Sequence, residues 1–237
     1  MVWITSALLD IAVIQSGSGF PKKYQGISGE KYPFYKVSDM NLIGNEESLH
    51  FENNTISAKT RDILKPSLFS IGSIVFPKVG AAIATNKKRI LTKVGCVDNN
   101  IMGAIPKEDK VYPRFLFYWF QQQNLSEFAN EAALPSIKKT TVEAWPISYP
   151  DSIPEQKRIV SILDTVFADL EQTRAKTEQN LKNARELFDS YLQQLFSQGG
   201  EGWKNTTVGA QTWIQVRSAT LSLQATKHIS LNTTAGC

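Results

Sequence analysis

Lysine and arginine, with polar residues beside them, are the chemistry-bearing positions that recur along this 237-residue chain. Lys22, Lys23, Lys78, Lys87, Lys88, Arg89, Lys138 and Lys139 fall in short strings that read as loops bracketing a sheet. A cation on a loop neutralises phosphate and releases condensed counterions, so these side chains are candidates for phosphate or groove contact. Tyr24, Tyr35, Ser38, Thr85, Asn86 and Asn99 lie close to them in sequence. Their hydroxyls and amides can meet base edges, an amide matching adenine. For Asn99 and Asn100 a turn is the competing role, and for any one lysine a solvated surface charge is.

Catalytic patterns are missing from the same sequence. There is no Gly-rich loop ending in Gly-Lys-Ser/Thr, no Gly-x-Ser-x-Gly elbow and no Asn-Pro-Pro-aromatic string. Cys96, Cys237, His50 and His228 are too few and too scattered for a zinc site or a disulfide framework. Asp151, Glu155 and Lys157 make a nuclease-like set, but they sit at a proline-containing helix start. Metal-dependent cleavage needs its carboxylates to converge on one point. We therefore expect no catalytic residue, no metal and no cofactor on this chain.

The elements that position these residues read as α+β. Trp3 to Gln15 forms a short opening element, and Ser16 to Tyr24 a flexible basic loop. Tyr35 to Met40 alternates like a strand, and Ser70 to Pro77 is a buried strand opened by a Gly72-Ser73 turn. Pro77 to Ala82 and Thr85 to Arg89 make a hairpin with small residues at its tip. Val94 to Val97 and Ile101 to Ile105 are further strands, and Pro113 opens a helix whose Phe115, Leu116, Trp119 and Phe120 belong to the core. Trp145 to Pro150 is extended. Residues 1 to 150 hold 17 Lys/Arg against 13 Asp/Glu, whereas 155 to 198 hold 6 against 7, so the basic excess sits on the first domain. Such an excess is compatible with a polyanionic partner. Val2 to Ile14 is apolar but lacks a basic start and is broken by Asp10, so no signal peptide or membrane span is expected. The expected location is a reducing cytoplasm.

Ile153 to Ser197 reads as one long helix. Ser152-Ile153-Pro154-Glu155 is a capping box with proline in the first turn, and Gly199-Gly200 is the stop. Ile159, Leu163, Val166, Leu170, Thr173, Thr177, Leu181, Ala184, Phe188, Tyr191 and Leu195 recur at steps of three and four, a coiled-coil seam. Ile159, Leu163, Val166, Leu170, Leu181, Phe188, Tyr191 and Leu195 are the candidate pairing residues. The alternative is a helix packed on its own core.

Several strings resemble the specificity subunit of type I restriction-modification systems. They are Gly72-Ser73-Ile74-Val75-Phe76, Lys78 to Gly80, Val97-Asp98-Asn99-Asn100, Leu134-Pro135-Ser136-Ile137 and, most specifically, Ile147 to Asp164. The resemblance covers about residues 1 to 198. It implies a mixed α/β target-recognition domain at 1–150 and a coiled-coil spacer helix at 151–198. The segment 199–237 would be the truncated, weakly ordered start of a second recognition domain, since Gly202 to Gly209 echoes Val2 to Leu8. It further implies a non-catalytic protein that binds double-stranded DNA and docks methyltransferase subunits, which carry S-adenosylmethionine. A restriction subunit that hydrolyses ATP can join. Where the usual member carries two recognition domains and two spacers, one of each is present here. The resemblance therefore implies a homodimer through antiparallel spacers, reading a bipartite palindromic site. A coiled-coil adaptor without DNA specificity is the alternative.

Overall fold

The computed structural model describes residues 2–200. The elements in chain order are β1 (Trp3–Ala7), α1 (Leu8–Ile11), β2 (Ala12–Ser16), β3 (Tyr32–Tyr35), β4 (Ser48–Leu49), β5 (Thr55–Ile56), α2 (Ala58–Leu64) and β6 (Leu68–Phe69), followed by β7 (Ile74–Pro77), β8 (Arg89–Leu91), β9 (Gly95–Val97), β10 (Ile101–Pro106), α3 (Pro113–Gln122), α4 (Lys139–Glu143), β11 (Pro146–Pro150) and α5 (Ile153–Gln198). This is the expected mixed α/β domain followed by a long helix. No helix among the described residues is long and apolar enough to cross a membrane.

The strands form three sheets: β1-β11, β2-β10-β7-β8-β4 and β5-β3-β9-β6. Pairing is antiparallel except for β4 beside β8 and β3 beside β9. The strands expected at Val94–Val97 and Ile101–Ile105 are present, but they belong to different sheets, and the chain crosses between the sheets at Asp98-Asn99-Asn100. Tyr35, Met40, Leu49, Phe69, Val75, Leu91, Val97 and Ile101 fill the space between the sheets. Gly103 is needed there. A Cβ on it would stand 2.7 Å from the Phe69 ring and 3.0 Å from the Ile74 carbonyl oxygen, so bare backbone lets the sheets approach.

The larger core lies where α3 packs its aromatic face. Phe115, Leu116, Phe117 and Phe120 meet Phe76 of β7, Ile147 and Tyr149 of β11, and Trp145. The helix opened by Pro113 thus uses its rings for packing.

Two local expectations are corrected. Tyr35–Met40 is not a strand: β3 ends at Tyr35 and a 3-10 turn runs Val37–Asn41. Asp39, fully buried, accepts from Lys36 N at 2.7 Å and from Asn53 Nδ2 at 2.6 Å, and a short acidic side chain bonded this way diverts backbone from the ladder. The carboxylate of Glu155, expected as a reciprocal cap, is instead gripped by Arg158 through two 2.8 Å bonds.

The chain divides into two compact units, one ending at Lys176 and the other beginning at Thr177. The first turns of α5 therefore belong to the same unit as the sheets. Helix α5 is continuous because no Gly or Pro follows Pro154 until Gly199, where φ is +49°. The weak order expected over 199–237 and the Gly202–Gly209 echo concern residues 201–237, which lie outside the described residues.

Candidate nucleic-acid interface

The basic loop after β2 is built outward from a stacked ring pair. Phe20 lies flat on Phe34 of β3, centroids 3.8 Å apart, and Gln25 Nε2 donates to Phe20 O at 2.7 Å. Between these anchors Pro21 leads into a 3-10 turn, Lys22–Tyr24. Lys22 and Lys23 are exposed, and the Lys23 ammonium stands 4.9 Å over the Tyr24 ring. The base of the loop is pinned to the sheet crossover: Gly17 N donates to Ile101 O, and Ser18 N to Val97 O, both at 2.9 Å. A Cβ on Gly17 would fall 2.0 Å from Asp98 O, so only glycine lets the loop lie this close.

The crossover turn is tied in the same way. Asp98 accepts from Asn100 N at 2.9 Å, which leaves Asn99 and Asn100 exposed; burial raises the Asp98 carboxyl above its ordinary range. Lys78 closes the group. Its amide donates to Asn100 O at 2.8 Å, its Nζ to Ser16 Oγ at 3.1 Å, and its carbonyl accepts from Ile137 N at 2.9 Å. Val79 bridges Ser136, which brings in Lys138 at the start of α4. Lys139 follows, exposed and 3.4 Å from Glu143. The fold therefore joins Lys22, Lys23, Tyr24, Lys78, Asn99 and Lys138 into one chain of adjacent loops. In the sequence they are separated by up to about three quarters of the domain.

A second group stands beside it. Ser38 is exposed on the 3-10 turn, Lys87 Nζ bonds Asn41 Oδ1, and Thr85 is exposed with its hydroxyl on Ala82 O at 2.7 Å. Lys36 links the groups by donating to Gln25 Oε1 at 3.0 Å.

Four candidates are corrected. Tyr35 is fully buried with its hydroxyl directed at Leu49 O, 3.4 Å away. Lys88 is 1% exposed, its Nζ on Asn86 Oδ1 at 2.8 Å and on Gln123 O, and burial pushes its pKa down to about 8. Arg89 is buried with its guanidinium on Lys88 O at 2.9 Å and Met40 O at 3.0 Å. Asn86 is a left-handed cap, φ +53°, whose side-chain Oδ1 also accepts from Leu125 N at 2.9 Å. Side chains bonded inside the fold in this way cannot serve a duplex without breaking those bonds. The expected basic triplet thus leaves only Lys87 at the surface.

Sequence reasoning missed Lys36 and a cation-ring cluster in which Lys31 and Arg61 stand 5.3 and 5.5 Å from the Tyr32 ring. No local pattern links Arg61 to Tyr32; strand pairing of Tyr32 with Ile56 brings α2 alongside. Among the described residues no group of three or more His, Cys, Asp or Glu could hold a metal ion.

The root of α5 is held by polar and apolar contacts. Gln156, fully buried, accepts from Tyr112 N at 2.7 Å and donates to Pro150 O at 2.8 Å and Lys110 O at 3.1 Å. Val160 is buried, and Ile159 and Leu163 pack on the α3 core. This corrects their assignment as pairing residues, because their apolar surface is used within the domain. Tyr118 OH donates to Asp164 Oδ1, and Phe167 stacks on the Tyr118 ring at 5.5 Å. Farther along, Val166 and Leu170, and in the second unit Leu181, Phe188, Tyr191 and Leu195, are exposed. So are Ile162, Phe167, Leu187 and Phe196, which the seam omitted.

Comparison with known proteins gives a consistent picture. The family model described as type I restriction modification DNA specificity domain matches residues 2–181. The specificity subunit of the type I restriction enzyme MjaIX of Methanocaldococcus jannaschii is 26% identical over 199 residues, which is 80% of this chain and 44% of that protein. A chain from a structural study of assembly and conformational transition in a type I restriction-modification system superposes with TM-score 0.60 at 19% identity, over 77% of this chain and 43% of that one. The HsdS subunit of Thermoanaerobacter tengcongensis superposes with TM-score 0.52 at 17% identity, over 71% and 38%. At these identities the structural likeness concerns the fold. The chain spans less than half the length of each of these relatives.

Proposed function

Because the chain belongs to the type I restriction-modification DNA specificity family, we propose that it is a sequence-specific DNA-recognition subunit that acts as a pair. Two copies join through antiparallel α5 helices and read a bipartite palindromic site, each recognition domain taking one half. A two-fold protein requires a two-fold site, and the rigid connection between readers sets the gap. The loops carrying Lys22, Lys23, Tyr24, Lys78, Asn99 and Lys138 face the duplex, with Ser38, Thr85 and Lys87 beside them; lysines position the protein on phosphate, and the polar side chains contact bases. The chain is non-catalytic, works in the cytoplasm and docks methyltransferase subunits, with a restriction subunit joining. S-adenosylmethionine and ATP chemistry belongs to those partners.

One observation carries the pairing: α5 is a single 46-residue helix with Leu181, Phe188, Tyr191 and Leu195 exposed along its second stretch. Each such side chain gains up to roughly 1.5–3 kcal/mol when withdrawn from water, and two-fold symmetry uses each twice.

Sedimentation of the isolated protein tests the pairing. A dimer is expected, and Phe188→Asp with Leu195→Asp should yield a folded monomer; a dimer persisting in the double variant removes these residues from the interface. Binding to duplex DNA over a salt series tests the reader. Affinity should fall steeply with salt if several phosphates are engaged, and salt-independent or absent binding supports the adaptor reading instead.

A further inference from the structure

Two contacts on α5 have a geometry that packing alone does not demand. Gln156 spends its whole amide on three backbone groups from two different segments, Lys110 and Tyr112 on one side and Pro150 on the other. Two turns later Asp164 receives the Tyr118 hydroxyl, and Arg114 Nη2 reaches Tyr118 OH at 3.0 Å, Asp164 at 3.4 Å and Glu47 at 2.8 Å. The Tyr118 phenol is pushed up to about 12, by burial first and by its bond to Asp164 next, so it remains a donor at neutral pH. The Arg114 guanidinium also lies 4.8 Å from the Tyr118 ring and 5.1 Å from that of Phe117, which holds the donor in place.

Gln156 and Asp164 are eight residues apart, about 12 Å along the axis. Apolar packing of Ile159, Val160 and Leu163 seats the helix root, and polar contacts at two points that far apart set its direction. We propose that Gln156 and the Tyr118–Asp164–Arg114 cluster form an orientation latch, positioning residues that fix the axis of α5 on its recognition domain and thereby the gap length accepted between half-sites. This rests on the paired-reader function above. From Asp164 to Lys176 is about 18 Å of helix, and a tilt of about 11° at the root displaces that point by about 3.5 Å, one base-pair step.

The test is selection from a random-sequence duplex library, reading the gap between the two halves of the enriched motif. Tyr118→Phe removes one hydroxyl, and Asp164→Ala changes a side chain that is 47% exposed, so both leave the core packing in place. The unaltered chain should enrich one gap length. Each variant should enrich the same half-site bases spread over three or more gaps, with half-site affinity within twofold. Retention of a single gap by both variants overturns the latch while leaving the paired reader standing. Failure of the unaltered chain to enrich any two-part motif overturns both. A DNA-free readout accompanies it. Nitroxides at Lys59→Cys and Glu171→Cys, in a Cys237→Ser background with buried Cys96 retained, should give a narrow distance distribution that broadens at least twofold in the variants. An unchanged width also overturns the latch.

Discussion

The two basic runs, Lys22-Lys23 and Lys87-Lys88-Arg89, look alike in sequence and end in opposite places. Both follow a strand, and both sit near small or turn-forming residues. In the first, Phe20 fills a slot on Phe34 and Pro21 turns the chain outward, so both ammonium groups reach solvent. In the second, the chain is already entering β8, and Lys88 and Arg89 are drawn in to cap the end of α3 and the 3-10 turn before β4, while Lys87 stays outside. A cation acquires its role from the acceptors around it, and backbone carbonyls can claim it as readily as phosphates.

The sharpest way to break this comparison is Arg89→Ala. It strips donors from the Lys88 and Met40 carbonyls in a dry site, which should cost about 3 kcal/mol and lower the melting temperature by roughly 6–12 °C. Unchanged melting with weakened DNA binding would return Arg89 to the interface.

Next comes Lys88, read through pH. Its folded pKa, about 8, lies below the ordinary 10.5, so between those values the unfolded chain binds more protons. Stability contributed by this group therefore rises as pH rises from 8 towards 10, by about 2 kcal/mol. Lys88→Met should lack that rise, and the difference between the two denaturation curves isolates the group. Parallel curves would mean that Lys88 is solvated.

The smallest expected effect is on the exposed run. Lys22→Ala with Lys23→Ala should leave stability within about 0.5 kcal/mol. It should also weaken duplex binding about tenfold and reduce the slope of log affinity against log salt by about 2. An unchanged slope would remove this loop from the footprint.

Much of the architecture is legible in the amino-acid sequence. Helix α5 follows from local rules: Pro154 in its first turn, no breaker until Gly199, and apolar steps of three and four. The Pro113 helix and the strand ending at Pro77 were readable for the same reason. The Ile147–Asp164 string pointed to the family, and the fold shows what its glutamine does, since Gln156 ties the helix to two other segments. The seam read from the sequence runs the length of α5, but Ile159 and Leu163 pack, partly buried, on the α3 core, and periodicity does not say which neighbour covers a stripe.

By itself the sequence determined what depends on contacts within a few residues: where helices start and stop, which positions share a face, and how many cations the domain carries. Tertiary structure alone decided which cations remain outside, that Asp39 bends the chain after β3, that the Asp98–Asn100 turn joins two sheets, and that Lys78 meets Ser16 and Asn100. The reason is physical. Turn and helix propensities are short-range, whereas the solvation of a charge depends on acceptors and cover supplied by strands far away in the chain.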